Sequence, residues 1–238
     1  MAEAGSVRIG RLLARLGLCG RRAAHDFIRE NDVRYQNKRI VDINFKFAAH
    51  DEGNISVNGK VYPLKEPYRI LLLHKPVGYV CSHKERKREK SIFRLLPAEF
   101  KRYFFAGRLD VDSRGLVVLS NDGDLIYDLT HPSRGVKKVY QVKLKRPLGE
   151  DEKRRALKGL RDRGEFLKID ELKTLRPANY QVILSHGKKR EIRRIFARLG
   201  NDVLELKRVS LGPYRLNDLP EGQWLEASRI ALKTGANS

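Results

Sequence analysis

The chain has 238 residues and a formal net charge of +21, with 33% charged and 41% hydrophobic residues. That apolar content excludes wholesale disorder, and no apolar run approaches the roughly 20 residues that span a bilayer. The N-terminus lacks the layout of a secretory signal, and Cys19 and Cys81 form neither a disulfide framework nor a CxxC motif. We therefore expect a cytoplasmic protein with a packed core.

The distribution of positive charge indicates a polyanionic partner. Residues 1–66 hold 12 basic and 8 acidic residues, whereas residues 67–238 hold 38 and 21. Cationic side chains on phosphate release condensed counterions, which favours binding to nucleic acid. Because the excess runs through the long C-terminal part, that part itself must face the polyanion. A membrane surface is the weakest alternative, since the charge is not gathered on one amphipathic helix.

Residues 7–64 are predicted to form a small module of two helices and a hairpin. Apolar residues at helical spacing predict one helix over 9–16 and a second that buries Phe27 and Ile28. Asn58-Gly59 is a strong signal for a two-residue hairpin turn. Short strands are expected at 33–35, 39–43, 55–57 and 60–62, and residues 63–67 are expected to link this module to the rest of the chain.

The remainder of the chain is predicted to mix strands and helices. Strands are expected at 69–73, 104–105, 116–119, 139–144, 180–184 and 203–206, a helical turn at 92–96, and helices at 124–129, 150–160 and 191–199. Because these elements do not alternate as regular βαβ units, they favour the α+β class.

The densest cluster of polar residues lies at 107–115 and has three interpretations. Asp110 and Asp112 match two ligand positions of a calcium loop, but Arg114 occupies another and no glutamate closes the loop. The second interpretation is a polar turn between two strands. The third places Asp110 and Arg108 on the same side of an extended strand. A neighbouring cation favours an ionised carboxylate, which can act as a nucleophile or a base.

A second cluster, residues 187–196, combines basic residues with a buried helical stripe that includes Ile192 and Phe196. Its cations form either a solvated face or a phosphate-binding surface from which one arginine pairs with a catalytic acid. Tyr140 lies on a predicted strand, where it serves either the core or stacking on an unpaired base. No histidine spacing typical of a metal site, Walker loop or GxGxxG motif is present, so we expect neither a metal nor a nucleotide cofactor.

These motifs, taken in order, resemble the RsuA/RluB/RluF branch of the RNA pseudouridine synthases. The resemblance spans nearly the whole chain, and residues 7–64 are similar to an S4 RNA-binding domain. The residues that carry it are Lys75-Pro76-x-Gly78, Gly107-Arg108-Leu109-Asp110 with Ser113, Gly115 and Leu116, Leu119 to Gly123, Tyr140, Gly187 to Ile195, Leu206 to Gly212 and Leu219 to Leu225.

The resemblance implies an S4-type domain over residues 1–66, including the linker, and a catalytic domain over residues 67–238. It implies a mixed, mainly antiparallel sheet in the catalytic domain, flanked by helices and loops. Asp110 is the implied catalytic carboxylate, Tyr140 the residue that stacks under the uracil, and Arg193 the cation that pairs with Asp110. The implied RNA-binding residues are Arg8, Arg11, Arg21, Arg22, Lys75, Arg108, Lys188, Lys189, Arg190 and Arg194.

The function implied is isomerisation of a specific uridine to pseudouridine in ribosomal RNA, with 23S rRNA favoured over 16S. The partner is ribosomal RNA or a ribosome assembly intermediate, the enzyme is a monomer, and no cofactor or metal is expected. The alternative is a non-catalytic, ribosome-associated RNA-binding protein on the same scaffold. A DNA-binding regulator is disfavoured because no credible recognition helix lies outside the S4-like module.

Overall fold

The computed structural model describes residues 7–47, 54–63, 68–85 and 89–230. The chain divides into two compact units, Met1–Tyr68 and Arg69–Ser238. The boundary predicted from the sequence lies between residues 66 and 67, and the linker residues 64–67 lie outside the described part of the chain.

The N-terminal unit contains two short helices and a small antiparallel sheet in the order β3-β2-β5-β6. Both central residues of the Asn58-Gly59 turn have positive φ, as the hairpin signal predicts. Phe27 is only partly buried, whereas Ile28 enters the core. The elements are β1 (Val7–Arg8), α1 (Ile9–Arg15), α2 (Ala24–Glu30), β2 (Val33–Tyr35), β3 (Lys38–Arg39), β4 (Lys46–Phe47), β5 (Asn54–Val57) and β6 (Lys60–Pro63).

The C-terminal unit contains the remaining elements, joined by short 3-10 turns. They are β7 (Ile70–Lys75), β8 (Tyr79–Val80), β9 (Lys90–Ser91), β10 (Phe104–Ala106), β11 (Arg114–Ser120), α3 (Gly123–Thr130), β12 (Lys138–Leu144), α4 (Glu150–Lys158), β13 (Leu160–Asp162), β14 (Glu165–Leu167), β15 (Glu171–Arg176), β16 (Asn179–Leu184), α5 (Glu191–Arg198), β17 (Val203–Leu211), β18 (Tyr214–Arg215) and β19 (Trp224–Ala227).

The main sheet has the strand order β15-β16-β12-β17-β11-β7-β19, with β10 beside β11 and β18 beside β17. Its described pairings are antiparallel except β11 with β17, which run parallel over a two-residue register. The expectation of an α+β fold with a mixed, mainly antiparallel sheet is confirmed.

The main sheet has two different faces. On the first face, side chains from β12 and β16 join a core to which α4 contributes Ala156 and α5 contributes Ile192, Ile195 and Phe196. On the second face, α3 packs through Leu125 and Leu129, together with residues of β7 and β11. We call these the helix face and the back face. The alternation of side chains along each strand sends every second residue to each face.

Several boundaries differ from those predicted. The helix expected over 150–160 ends at Lys158, because Gly159 has φ of +94° and the chain turns into the β13–β14 hairpin. The strand expected over 203–206 continues to Leu211, since the buried Arg208 and Ser210 interrupt its apolar pattern without interrupting the strand. The edge strand β15 was not predicted, because its residues are mostly exposed and polar.

Candidate active site

The loop of residues 107–113 connects β10 to β11 and carries the predicted catalytic carboxylate. Leu109 is buried in the helix-face core and anchors the loop. The Asp110 side chain is 35% exposed, while Arg108 is exposed. The prediction that Arg108 and Asp110 share one side of an extended strand is wrong, because the chain leaves β10 at Ala106 and turns with a left-handed Gly107 (φ +65°).

The end of this loop is held by a close approach of two strands. Gly115 has φ of +118°, and a Cβ atom there would lie 2.2 Å from the backbone oxygen of Arg208. Only glycine permits that approach. The Arg208 side chain is 1% exposed, and its Nε donates to the Leu116 carbonyl at 2.8 Å. The loop is therefore fixed to β17 by backbone contact and by a buried arginine.

Helix α5 begins directly opposite the loop. Arg190, the residue before its first turn, has φ of +52° and ψ of +32°, a left-handed conformation that is uncommon for a residue with a side chain. Its guanidinium donates to both carboxylate oxygens of Asp112, at 3.2 and 2.9 Å. The same group lies 3.8 Å from Asp110. Strained backbone is common where a side chain must be held for function.

Arg193 also binds Asp112, and not Asp110 as predicted. Its Nη2 donates to the Asp112 carbonyl at 2.8 Å, and its Nε lies 3.3 Å from the Asp112 carboxylate. A further bond from Nη1 to the Val203 carbonyl, at 2.8 Å, fixes the guanidinium to β17. Asp112 is the nearer acid because the loop turns between Asp110 and Asp112. Arg193 therefore ties three elements together, and Asp110 has only Arg190 within ion-pairing distance among the described residues.

The protonation of these groups follows from their contacts. Burial would raise the pKa of Asp112, but the hydrogen bond from Arg190 and the charges of Arg193 and Arg190 outweigh it and lower that pKa. The hydrogen bond to Asp112 raises the pKa of Arg190, while burial lowers the pKa of Arg193. At neutral pH Asp112 is an anion clamped between two guanidinium groups.

Tyr140 lies on β12, two strands away from the loop. It pairs in register with Arg208 on β17, and Arg208 pairs in turn with Gly115 at the start of β11. Its ring is 8% exposed and belongs to the same core cluster as Leu109. Tyr140 and the residue preceding Asp110 are therefore anchored in one cluster, although no hydrogen bond joins Tyr140 to Asp110.

The family assignment rests on the C-terminal unit. A family model for RNA pseudouridylate synthase matches residues 69–198. The chain belongs to the RNA pseudouridine synthase family. It is an isomerase, and the assignment to the RsuA/RluB/RluF branch is confirmed.

The relatives of the enzyme match over nearly its full length. An uncharacterized RNA pseudouridine synthase of Aquifex aeolicus is 32% identical, over 95% of each chain. Ribosomal large subunit pseudouridine synthase B of Bacillus subtilis is 29% identical, over 95% of this chain and 94% of the relative. Dual-specificity RNA pseudouridine synthase RluF of Escherichia coli is 30% identical, over 94% of this chain and 76% of the relative. The crystal structure of a pseudouridylate synthase superposes with a TM-score of 0.67 at 28% identity, and the match covers 93% of the enzyme and 96% of that chain.

The structure contradicts the prediction that Lys75 binds RNA. Lys75 is fully buried, and its ammonium donates to the carbonyls of Pro76 (2.8 Å) and Ser113 (2.6 Å). Burial lowers the pKa of Lys75 to about 8. Its strand, β7, lies directly beside β11, and Lys75 pairs in register with Gly115. Lys75 therefore supports the end of the Asp110 loop from below and cannot reach a phosphate.

The basic residues around α5 are placed unequally for contact with RNA. Arg194 is held by Asp162 (2.6 Å) and Glu165 (2.5 Å), so its charge is already compensated. Lys188 donates to a carbonyl of β14 at 2.5 Å and is half-buried, whereas Lys189 is exposed. Of the cations predicted here and in the loop, Arg108 and Lys189 are thus the most available to a phosphate.

In the N-terminal unit, Arg8, Arg21 and Arg22 are exposed and Arg11 is half-buried, so the first three can reach a phosphate. No cluster of three or more histidine, cysteine or acidic side chains able to hold a metal ion occurs among the described residues. Within the same part of the chain, none of the helices is long and apolar enough to cross a membrane.

Sequence reasoning missed two residues of the site, Asp112 and Arg208. From the sequence, Asp112 matches only a calcium-ligand position, although two arginines in the later basic cluster need a carboxylate partner. Arg208 lies within the Leu206 to Gly212 motif, for which the sequence indicates no role. Its signal was a basic residue inside an otherwise buried strand, which requires compensating hydrogen bonds.

Proposed function

We propose that the enzyme isomerises one uridine of ribosomal RNA, with 23S rRNA favoured over 16S, and that Asp110 is its catalytic carboxylate. In this reaction the bond from C1′ to N1 breaks, a bond from C1′ to C5 forms, and the proton lost from C5 is balanced by one gained at N1. The atoms balance within the nucleotide, so the proposed reaction needs no co-reactant. The name of the Bacillus subtilis relative refers to the large ribosomal subunit, which supports the preference for 23S rRNA.

The observation that carries the proposal is the different use of the two loop carboxylates. Asp112 accepts hydrogen bonds from Arg190 and lies against Arg193. Among the described residues, no hydrogen bond ends on the Asp110 carboxylate, which is 35% exposed and 3.8 Å from Arg190. Asp110 therefore keeps free oxygen atoms toward an incoming nucleotide, with the Arg190 guanidinium beside it.

The other residues serve to present the uridine. Tyr140 stacks under the flipped uracil. Arg108 grips the backbone or fills the space that the flipped nucleotide leaves. Extruding a base costs about a few kcal/mol, which contacts to several phosphates offset. Arg193 acts on Asp110 indirectly, by fixing Asp112 and the loop to α5 and β17.

The N-terminal unit is proposed to be an S4-type RNA-binding domain that uses Arg8, Arg11, Arg21 and Arg22. We further propose that the enzyme is a cytoplasmic monomer that acts on rRNA or on a ribosome assembly intermediate. Light scattering measures the oligomeric state directly, and a dimer at working concentration would contradict the proposed monomer.

The test of Asp110 uses purified enzyme and in-vitro transcripts of 23S and 16S rRNA labelled with tritium at C5 of uridine. The wild type should release tritium from the 23S transcript, and Asp110→Asn should release none while binding the transcript within about twofold of wild type. Pseudouridine mapping in a strain that lacks the enzyme then locates the uridine. Turnover by Asp110→Asn, or no altered uridine in the deletion strain, would overturn the proposal.

A further inference from the structure

The back face of the main sheet carries a second basic surface, separate from the Asp110 loop. On β12, Tyr140 and Val142 enter the core on the helix face, so the intervening Gln141 and the following Lys143 project to the back face. On β17, Lys207 pairs in register with both Gln141 and Arg114. Arg114, Lys207 and Gln141 therefore form one row across β11, β17 and β12, and Lys143 pairs in register with Glu205 beside it.

Among the described helices of the C-terminal unit, none covers this part of the back face. The helix α3 packs against β7 and β11 through Leu125 and Leu129, at the other end of the sheet. The strands β15, β16 and β12 consequently present alternate polar residues to solvent on this side, such as Gln141 and Lys173. A sheet face that is neither covered nor apolar is built to stay in contact with water or with a polar partner.

This bare area forms an open groove of about 340 Å³. Its lining includes four cations, Arg114, Lys143, Arg176 and Lys207, and one carboxylate, Glu205. We call it the back-face groove.

The charges of the groove are only partly compensated. Glu205 is shared by Arg114 (2.7 Å) and Lys143 (3.3 Å), and Arg114 also lies 3.7 Å from Glu221. No carboxylate of the described residues lies within ion-pairing distance of Lys207 or Arg176. Two cations thus remain free in a concave surface, where a low-dielectric wall focuses the field on an anion.

We propose that the back-face groove binds the phosphate backbone of an RNA segment other than the one that holds the target uridine. The inference rests on the proposed function only in taking folded RNA as the partner. The groove and the Asp110 loop lie on opposite sides of the sheet, so a single flipped nucleotide and its neighbours do not reach both. A large folded RNA passes around the sheet and contacts both sides. Phosphates match the groove because its free groups are cations and its polar amides donate hydrogen bonds.

The test compares RNA affinity and its salt dependence in an Asp110→Asn background, so that turnover does not change the RNA. The probe is an in-vitro transcript of 23S rRNA. The double variant Lys207→Gln/Arg176→Gln should weaken binding about 10-fold. The negative slope of log K against log salt should become shallower by about 1 to 2, as expected for loss of two phosphate contacts. The charge-preserving variant Lys207→Arg/Arg176→Lys should restore most of the affinity and the slope.

The matched control is Arg155→Gln/Lys158→Gln, which removes the same charge from exposed positions on α4. Thermal unfolding of each variant checks that the sheet is intact. If the groove variant binds like the control, or if the charge-preserving variant stays weak, the groove is not a phosphate-binding surface. Because binding is measured without turnover, absence of tritium release by the wild type would overturn the proposed function and leave this test unaffected.

Discussion

The arginines around Asp112 and the cations of the back-face groove differ in how far their charge is compensated. On the helix face, Arg190 and Arg193 are held by Asp112, and Arg194 is held by Asp162 and Glu165. In the back-face groove, Lys207 and Arg176 have no carboxylate partner among the described residues. A basic cluster beside a catalytic acid therefore does not by itself indicate a phosphate-binding surface, because its charge can be used up within the protein.

This difference separates cations that position the catalytic loop from cations that attract RNA. Paired arginines hold a loop in one geometry, as a site requires for an oriented reaction, but add little long-range field. Unpaired cations attract a polyanion at a distance and make its binding depend on salt. The net charge of +21 is thus distributed between two tasks, and the four predictions below test that division from the largest expected effect to the smallest.

The first prediction concerns Gly115, at the start of β11, the strand that contributes side chains to both faces of the sheet. Gly115→Ala should lower the free energy of unfolding by at least about 4 kcal/mol, because its Cβ would lie 2.2 Å from the Arg208 oxygen and neither backbone can move freely. Gly164→Ala is the control, since Gly164 also has positive φ but no atom within 4 Å of its Cβ position. Chemical denaturation measures both, and equal losses would contradict the close approach.

The second prediction concerns the clamp of Asp112 on Arg190 and Arg193. Asp112→Asn should lower turnover about 100-fold because the loop loses the carboxylate part of its tie to α5. RNA affinity should stay equal or rise because Arg190 and Arg193 lose their ion pairs with Asp112. A residue that only stabilised the fold would lower both quantities. Asp162→Asn, which removes one of the two carboxylates that hold Arg194, is the matched control and should leave turnover within about threefold. A fall in affinity with unchanged turnover in Asp112→Asn would contradict the positioning role.

The third prediction concerns Lys75, a buried cation that forms no ion pair with a carboxylate of the described residues. Because burial lowers the pKa of Lys75 to about 8, the unfolded chain binds more protons than the native one between pH 8 and about 10.4. Stability from this group therefore rises with pH. The unfolding free energy of the wild type minus that of Lys75→Met should increase by about 2 kcal/mol from pH 7.5 to pH 10.

Denaturant titrations at the two pH values measure this difference, with Lys158→Met, an exposed lysine on α4, as the control. A difference that does not change with pH would show that Lys75 is hydrated in the native protein.

The smallest effect is expected at Arg194. Arg194→Gln should leave affinity for a 23S rRNA transcript within about twofold, since its charge is already compensated, and should lower the unfolding free energy by about 1 kcal/mol. Filter binding and thermal unfolding test the two parts. A loss of affinity as large as that of the groove variant would remove the distinction between the two faces.

The sequence predicted the elements best where one face of an element is apolar. The helices at 9–16 and 191–199 and the Asn58-Gly59 hairpin lie where expected, because their periodicity or turn residues act locally. The edge strand β15 and the end of β17 were missed. An exposed edge has no apolar pattern, and the buried Arg208 looks polar in the sequence although hydrogen bonds to Leu116 and Ala106 permit its burial.

The sequence by itself determined the family, the α+β class, the large positive charge and the order of the motifs, since each depends on residue identity and local spacing. Only the tertiary structure decided that Arg193 binds Asp112, that Lys75 is buried, and that Lys207 and Arg176 lie unpaired on the face away from Asp110. Those facts depend on which side chains from distant segments meet. Ion pairs form between charges that folding brings within about 4 Å, and no spacing along the chain specifies that distance.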